Sequence, residues 1–476
     1  MTTQTPQNHK FTPTIFREYD IRGIVGETVS AQDAYYIARA FGTKAYKAQP
    51  DSFVCVGMDG RLSSQELHEA VCQGILDSGL SVVDIGLGPT PMLYYAAYTK
   101  KAVGGIMITG SHNPPDHNGF KFVFQNKAFY GADITELKTI AESNNLVTGT
   151  GKIEKQDIRE TYIQAMLNAY DGTRKLSVAW DAGNGATGEI MSALCDRLEG
   201  NHTKLNEIID GTFPAHHPDP TVPENLLQLI ETVRTKKLDA GIAFDGDGDR
   251  IGVVDDEGEI LWGDQLLMLY AADILLAIPN ATIIADVKAS GALFEEIERL
   301  GGVPLMWKTG HSLIKSKMAE TGSPLAGEMS GHLFFADKYY GFDDALYAAV
   351  RLLGLLSRSG KKLSDLRKAL PQRINTPEIR FPCDDLRKFK VIDEVKSRLE
   401  KAGENFSAVD GVRVNTIDGW WLLRASNTQA MLVARCEAKD NSGLERLQNE
   451  LRSELEKSGV TPCASFYPII LAIQTV

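Results

Sequence analysis

Phe53-Val-Cys-Val-Gly-Met-Asp59-Gly60 is a run of strand formers that closes on an aspartate and a glycine, and a helical pattern over 64–76 follows it. The same order returns twice. Leu176-Ser-Val-Ala-Trp-Asp181-Ala-Gly precedes a helical pattern over 189–198, and Ile283-Ile-Ala-Asp286-Val-Lys-Ala-Ser-Gly precedes one over 292–300. Another apolar run follows each helix, at Ser81-Val-Val-Asp-Ile, Leu205-Asn-Glu-Ile-Ile and Val303-Pro-Leu-Met-Trp. Strand, helix and strand in this order are what a parallel pair with a crossover requires. The aspartates lie roughly a hundred residues apart, which suits three similar α/β domains and not a short solenoid repeat.

Beyond about residue 372 the pattern changes. Gly419-Trp-Trp-Leu-Leu and Ala430-Met-Leu-Val-Ala-Arg read as two strands joined by a polar loop, and a charged amphipathic helix is expected over 443–458. This is a smaller α+β domain. A helix over 357–370, ended by Pro371, is expected before it.

The 476-residue length allows two to four domains. With 43% apolar and 24% charged residues, a disordered, collagenous or coiled-coil chain is excluded. The net charge of −12 repels nucleic acid and anionic lipid, so neither is an expected partner, and an anionic substrate would need cations gathered locally. Six cysteines form no C-x-x-C pair and no disulfide framework, which fits reduced thiols in a cytoplasm. The first ten residues lack an apolar signal core. The apolar stretch 266–278 contains Asp273, is too short to span a bilayer and reads as a buried helix.

Four loops carry residue types suited to chemistry. Thr109-Gly-Ser111-His112-Asn-Pro-Pro-Asp-His-Asn-Gly-Phe-Lys121 follows a strand-like run, and its Gly and Asn-Pro-Pro bends expose Ser111 beside a histidine and ahead of a lysine. The serine is either a covalent carrier or an ordinary turn residue bonding backbone. Asp245-Gly-Asp247-Gly-Asp249-Arg250 follows the strand 240–244, and three carboxylates spaced by two crowd together unless a hard cation such as Mg²⁺ sits among them. An EF-hand would need glycine and glutamate where Arg250 and Asp256 stand. Gly327-Glu328-Met-Ser330-Gly-His332 alternates groups that suit vicinal sugar hydroxyls. Arg424-Ala-Ser426-Asn427-Thr428 combines guanidinium, hydroxyls and an amide, either an anion cradle or simple turn chemistry.

Gly183-Asn-Gly185-Ala-Thr-Gly188 fits a dinucleotide fingerprint, but Asp181 would sit against a pyrophosphate, and the sibling repeats keep the aspartate without the glycines. Further cations stand in turn segments: Arg17 and Arg22 in Phe16-Arg-Glu-Tyr19-Asp-Ile-Arg22-Gly23, Lys288, and His311 in Thr309-Gly-His-Ser.

Taken in order over some 400 residues, F-R-E-Y-D-I-R-G, T-G-S-H-N-P-P, D-G-D-G-D-R, G-E-M-S-G-H and R-A-S-N-T resemble the α-D-phosphohexomutase superfamily, and most its bacterial phosphomannomutase/phosphoglucomutase branch. The resemblance implies four domains around a central cleft, expected at 11–157, 158–259, 260–371 and 372–476. Three would be related α/β domains and the last would resemble the TATA-binding-protein fold. It implies that Ser111 is a phosphoserine and that Asp245, Asp247 and Asp249 hold Mg²⁺ together with a phosphoserine oxygen. Glu328 and Ser330 would bond the sugar's O3 and O4, while Arg424, Ser426, Asn427 and Thr428 grip the non-reacting phosphate. Tyr19 and Lys288 join the substrate-binding set. Arg22, His112, Lys121, Arg250, Lys288, His311 and His332 would supply charge and proton transfer. The expected reaction moves phosphate between O1 and O6 of glucose or mannose through a 1,6-bisphosphosugar, with glucose 1,6-bisphosphate as activator. Met329 is typical of the glucose/mannose branch, whereas Gln429-Ala430, directly after Asn427-Thr428 in the phosphate loop, departs from the Pro or acidic residue often found there in relatives. A metal-dependent sugar phosphatase and a phosphoglucosamine-type mutase are the rival expectations. A monomer is expected.

Overall fold

Six strands form the path of the first sheet: β1 (Ile21–Ile24), β2 (Phe53–Met58), β3 (Ser81–Leu87), β4 (Gly104–Ile108), β5 (His117–Phe124) and, beyond the short β6 (Lys127–Ala128) that pairs β5, β7 (Ile153–Lys155). This computed structural model describes residues 9–143, 145–426 and 429–460. The strand order is β1-β5-β4-β2-β3-β7. β2 runs parallel to β3 and β4, and β4 pairs antiparallel with β5. β2 reads almost wholly apolar because helices cover both faces of the sheet. The helix Ala31–Ala48 starts in a capping box between Ser30 and Asp33, and Ser64–Leu76 is helical over the expected span.

The second sheet repeats this pattern with β8 (Leu176–Asp181), β9 (Gly200–Leu205), β10 (Ala240–Phe244), β11 (Ile251–Asp255) and β12 (Ile260–Leu261), in the order β12-β11-β10-β8-β9. The third does so with β13 (Thr282–Asp286), β14 (Val303–Trp307), β15 (Leu325–Gly327) and β16 (Leu333–Phe335), in the order β14-β13-β15-β16. In each repeat the aspartate-ended strand lies between two parallel neighbours, and the outer one of these turns back antiparallel. Ile260–Leu261 pairs with β11, so these two residues belong with the second sheet.

The fourth sheet contains β17 (Ile374–Asn375), β18 (Ile379–Pro382), β19 (Phe406–Ser407), β20 (Val412–Asn415), β21 (Gly419–Ala425) and β22 (Met431–Ala438), all antiparallel, with helices Asp385–Ala402 and Asn441–Lys457 packed on it.

Two local expectations change. The strand after the second helix is Gly200–Leu205 rather than the apolar run at 205–209. It is an edge strand pairing only with β8, so it needs no apolar alternation, and Ile209 instead packs beneath Gly60. The helix expected over 357–370 is the end of Ala345–Ser359 plus a separate Leu363–Ala369, because Gly360 takes the left-handed conformation at φ 64° that closes a helix.

One continuous apolar cluster runs through the first three domains, from Tyr94 and Tyr162 to Trp180, Leu267 and Leu353. The fourth domain has its own cluster around Phe381, Trp421 and Leu447, and a small group of Val287, Trp420 and Leu422 joins it to the third. Among the described residues, no helix is long and apolar enough to cross a membrane.

Candidate active site

The repeat dictates where the site forms. The Ser111 loop joins β4 to β5, the Asp245–Arg250 loop joins β10 to β11, and the Glu328–His332 loop joins β15 to β16. All three leave the carboxyl end of the parallel strand beside the aspartate-ended one, the usual ligand edge of an α/β sheet. The buried aspartates steady this edge. Asp59 accepts the Gly110 N–H at 3.1 Å, Asp181 accepts the Gly183 N–H at 2.9 Å, and Asp286 accepts the Met329 N–H at 3.2 Å.

The first two loops meet. Ser111 has φ 50°, a left-handed conformation costing a serine about 1 kcal/mol or more. Its backbone N–H is tied to Thr109 Oγ1 at 2.8 Å. Its hydroxyl donates to Asp245 Oδ2 at 3.2 Å and lies 3.1 Å from His112 Nδ1. The other Asp245 oxygen accepts the backbone N–H groups of Gly248, Asp249 and Arg250 at 3.0–3.1 Å, so the glycine-rich turn wraps its own first carboxylate. Lys121 reaches across from β5 and donates to Asp247 at 2.7 Å and Asp249 at 2.5 Å. Thr90 and Thr109 also donate to Asp247.

Asp245, Asp247 and Asp249 are fully buried, with ligand oxygens within 4.8 Å of one another. Burial first, then Asp249 and Asp247, pushes Asp245 well above the usual carboxylate range. Asp247 Oδ1 and Asp249 Oδ1 are buried without a hydrogen-bond partner. Crowded hard oxygens with open lone pairs fit a divalent cation such as Mg²⁺. Burial opposes the Lys121 charge, but Asp247 and Asp249 outweigh it and raise its pKa well above the ordinary value. His112 is shifted the other way. Burial, then Arg250, Arg22 and Lys121, holds it well below the ordinary histidine value, which favours the uncharged imidazole beside the hydroxyl.

The third loop joins through Arg250, whose Nε donates to His332 Nε2 at 3.0 Å. His332 Nδ1 then faces Asp343 at 3.1 Å and Asp249 at 3.6 Å. His311 stacks on His332 with ring centroids 5.4 Å apart, and its Nδ1 lies 3.6 Å from Asp343. Glu328 accepts the Gly310 N–H at 2.6 Å, and Tyr19 from the first domain donates to the Thr309 carbonyl at 2.8 Å. The fourth domain arrives through Asp410, which accepts both the Thr309 N–H at 3.1 Å and Arg424 Nε at 3.0 Å. Arg22 pairs with Asp20, and Lys288 lies 3.4 Å from Glu378. Ser426 is buried at the end of this chain of contacts, while Asn427 and Thr428 lie outside the described residues. Ser330 is half-buried on the third loop.

Four domain descriptions of the phosphoglucomutase/phosphomannomutase family match in order: alpha/beta/alpha domain I over 13–147, domain II over 160–258, domain III over 262–374 and the C-terminal domain over 378–454. The chain belongs to this family. Among similar proteins, a phosphomannomutase/phosphoglucomutase of Pseudomonas putida is 46% identical over 93% of this chain and 95% of its own. A phosphoglucomutase of Neisseria gonorrhoeae is 43% identical over 93% and 97%. A crystal structure of a phosphoglucomutase/phosphomannomutase family protein from Burkholderia thailandensis superposes with a TM-score of 0.90 at 42% identity, over 95% of this chain and all of that one.

In this phosphoglucomutase/phosphomannomutase chain the glycines at 183–188 have a packing reason. A Cβ on Gly185 would lie 2.8 Å from the Gly246 carbonyl, and one on Gly188 would lie 2.0 Å from the Glu207 carbonyl. Three residues outside the motifs also belong to the site's frame: Asp343 between the histidines and Lys315, Asp410 linking the third and fourth domains, and Arg61 under the Ser111 loop. Burial opposes the Asp343 charge, but Lys315 and the two histidines hold its pKa well below the carboxylate range. An adjacent carboxylate pair before a helix, Asp343-Asp344, was the only signal of it in the sequence.

Proposed function

We propose that this chain is a phosphohexomutase that interconverts hexose 1-phosphate and hexose 6-phosphate, for both glucose and mannose. Phosphorylated Ser111 gives its phosphoryl group to the free sugar hydroxyl. The Ser111 O–P bond breaks as the sugar O–P bond forms, and the hydroxyl proton passes to a base from the His112, Lys121, His311 and His332 group. The resulting 1,6-bisphosphosugar turns end for end in the cleft, and Ser111 then takes the other phosphate. The observation that carries this reading is the Ser111 hydroxyl 3.2 Å from Asp245, in a buried cluster shared with Lys121.

Asp245, Asp247 and Asp249 would hold Mg²⁺, which when bound neutralises charge on the transferring phosphoryl group. Arg22, Arg250 and Lys121 add cationic charge around Ser111. Glu328 and Ser330 bond O3 and O4, the hydroxyls roughly preserved by the flip. Arg424, Ser426, Asn427 and Thr428 hold the distant phosphate, and Tyr19 and Lys288 join the substrate-binding set. One chain supplies all four loops, which supports a monomer. The free cysteines among the described residues, including Cys55, Cys72 and Cys436, suit a reducing cytoplasm.

A coupled assay for glucose 6-phosphate from glucose 1-phosphate tests this, with and without glucose 1,6-bisphosphate. Ser111→Ala is expected to lose about 10⁴-fold or more in kcat, as does chelation of the divalent ion. Intact-mass analysis is expected to show one phosphoryl group on wild type and none on Ser111→Ala. Because the site reads O3 and O4, kcat/KM for mannose 1-phosphate is expected within about tenfold of that for glucose 1-phosphate. Release of inorganic phosphate instead of isomer would make the protein a phosphatase.

A further inference from the structure

Arg61 lies outside the motif loops, 3% exposed, directly under the loop that carries Ser111. A guanidinium has five N–H donors, and here each has an acceptor. Nε donates to Asp59 Oδ2 at 3.2 Å. One amino group donates to the Pro114 carbonyl and to the His117 carbonyl at 2.9 Å. The other donates to the Ser111 carbonyl at 2.7 Å and the Asn113 carbonyl at 2.6 Å. Asp59 completes the frame by accepting the Gly110 and Arg61 N–H groups at 3.1 Å. Contact is close enough that a Cβ on Gly110 would lie 2.4 Å from the Arg61 guanidinium. Phe213 of the second domain covers the group, its ring centroid 5.1 Å away.

The residue so held is the strained one. Ser111 sits at φ 50°, its carbonyl turned toward Arg61 while its hydroxyl meets Asp245. Strain of this kind persists only where the surroundings over-determine it. We propose that Arg61 is a positioning residue for phosphoryl transfer. By gripping the carbonyls of residues 111, 113, 114 and 117, it keeps Ser111 in the left-handed turn that aims its oxygen at the acidic cluster. This rests on the reading of Ser111 as the phosphoryl carrier. Arg61 does not touch Glu328 or Arg424, which stand on other domains, so its loss acts on the transfer step and not on sugar binding.

The test is Arg61→Ala, measured for kcat and KM with glucose 1-phosphate beside wild type and Ser111→Ala, with circular dichroism reporting the fold. A folded Arg61→Ala is expected to lose about 100-fold in kcat, since an ångström of misplacement costs that much. Its KM is expected to stay within about threefold of wild type. Millimolar guanidinium chloride, far below the molar range that unfolds domains, is expected to refill the gap and restore kcat at least about tenfold, with no gain in wild type. A folded variant with wild-type kcat, a change confined to KM, or a loss that guanidinium does not recover overturns the proposal. Should the alanine variant fail to fold, Arg61→Lys decides. Its ammonium has three donors in place of five, so kcat is expected to fall about tenfold at wild-type KM, and an unchanged kcat overturns the proposal. Ser111→Ala separates the two readings. If it keeps activity, the phosphoryl-carrier reading falls and takes the proposal with it; if it is inactive beside a fully active Arg61→Ala, only the positioning role falls.

Discussion

Arg61 and Lys288 occupy the same place in the repeat, two residues beyond the aspartate that ends the central strand. They do different work. Arg61 is turned inward and fastens a loop of its own domain. Lys288 lies between Asp286 and Glu378 with its side chain 12% exposed, and its loop is fastened from another domain. Arg413 donates to the carbonyls of Val287 and Ala289 at 2.7 and 2.8 Å, and Arg435 donates to the Lys288 carbonyl at 2.6 Å. Trp420 lies under both guanidiniums, 3.8 Å from Arg413. The second domain has Gly183 at this place, and His216 closes on Asp181 instead at 2.9 Å. The repeat therefore keeps the strand-end carboxylate and varies what answers it. The Ser111 loop is set independently of the fourth domain, whereas the Lys288 loop depends on that domain's position.

The largest effect that would break this contrast is on stability. Arg413→Met leaves two buried carbonyls without donors and is expected to cost about 3 kcal/mol. Scanning calorimetry is expected to show an early transition of the fourth domain while the remaining heat absorption stays in place. A single uniformly shifted transition would mean that the fourth domain is not separately anchored. Arg435→Met is next. It frees the Lys288 loop on one side and is expected to raise KM for glucose 1-phosphate about tenfold, a loss of about 1.4 kcal/mol in binding, with kcat changed much less. The Arg61 variants are expected to do the reverse, and similar KM and kcat patterns in both would erase the distinction.

The smallest effect concerns His216. Burial opposes its charge, but Asp181 outweighs it and the pKa is raised above the ordinary 6.5. A raised histidine pKa adds stability that is full below the unfolded value and fades as pH rises through the folded value. His216→Asn is expected to lower Tm by about 2 °C at pH 6, with a smaller loss at pH 9. An equal loss at both pH values would show that the pair does not gain from the proton.

The three-fold repeat was readable because a strand-end aspartate followed by small residues is a local pattern, and the structure returns it as the same strand arrangement each time. The motif loops were readable for the same reason, since glycines and charged groups cluster within a few residues. Arg61, Asp343 and Asp410 were not. Arg61 acts on backbone carbonyls some fifty residues away, which no side-chain pattern announces. Asp410 matters only because the fold brings it to Thr309 and Arg424. The edge strand at 200–205 hid because pairing on one side relieves it of apolar alternation, and the split helix hid because a single glycine decided it.

The apolar interior has an evolutionary consequence. Because one apolar cluster reaches through the first three domains, whereas the fourth keeps its own core and meets the third through a small apolar group and a few polar contacts, the last domain is the natural unit of exchange. A chimera joined between Leu370 and Ile374 and carrying a relative's final domain would need to re-match the Val287–Trp420 packing, the two arginines beside it and the polar contacts of Thr309 with Asp410, Lys288 with Glu378 and Gly291 with Glu437. The acidic cluster and its serine would be inherited untouched, leaving descendants free to retune which phosphosugars they grip without rebuilding how the phosphoryl group is passed.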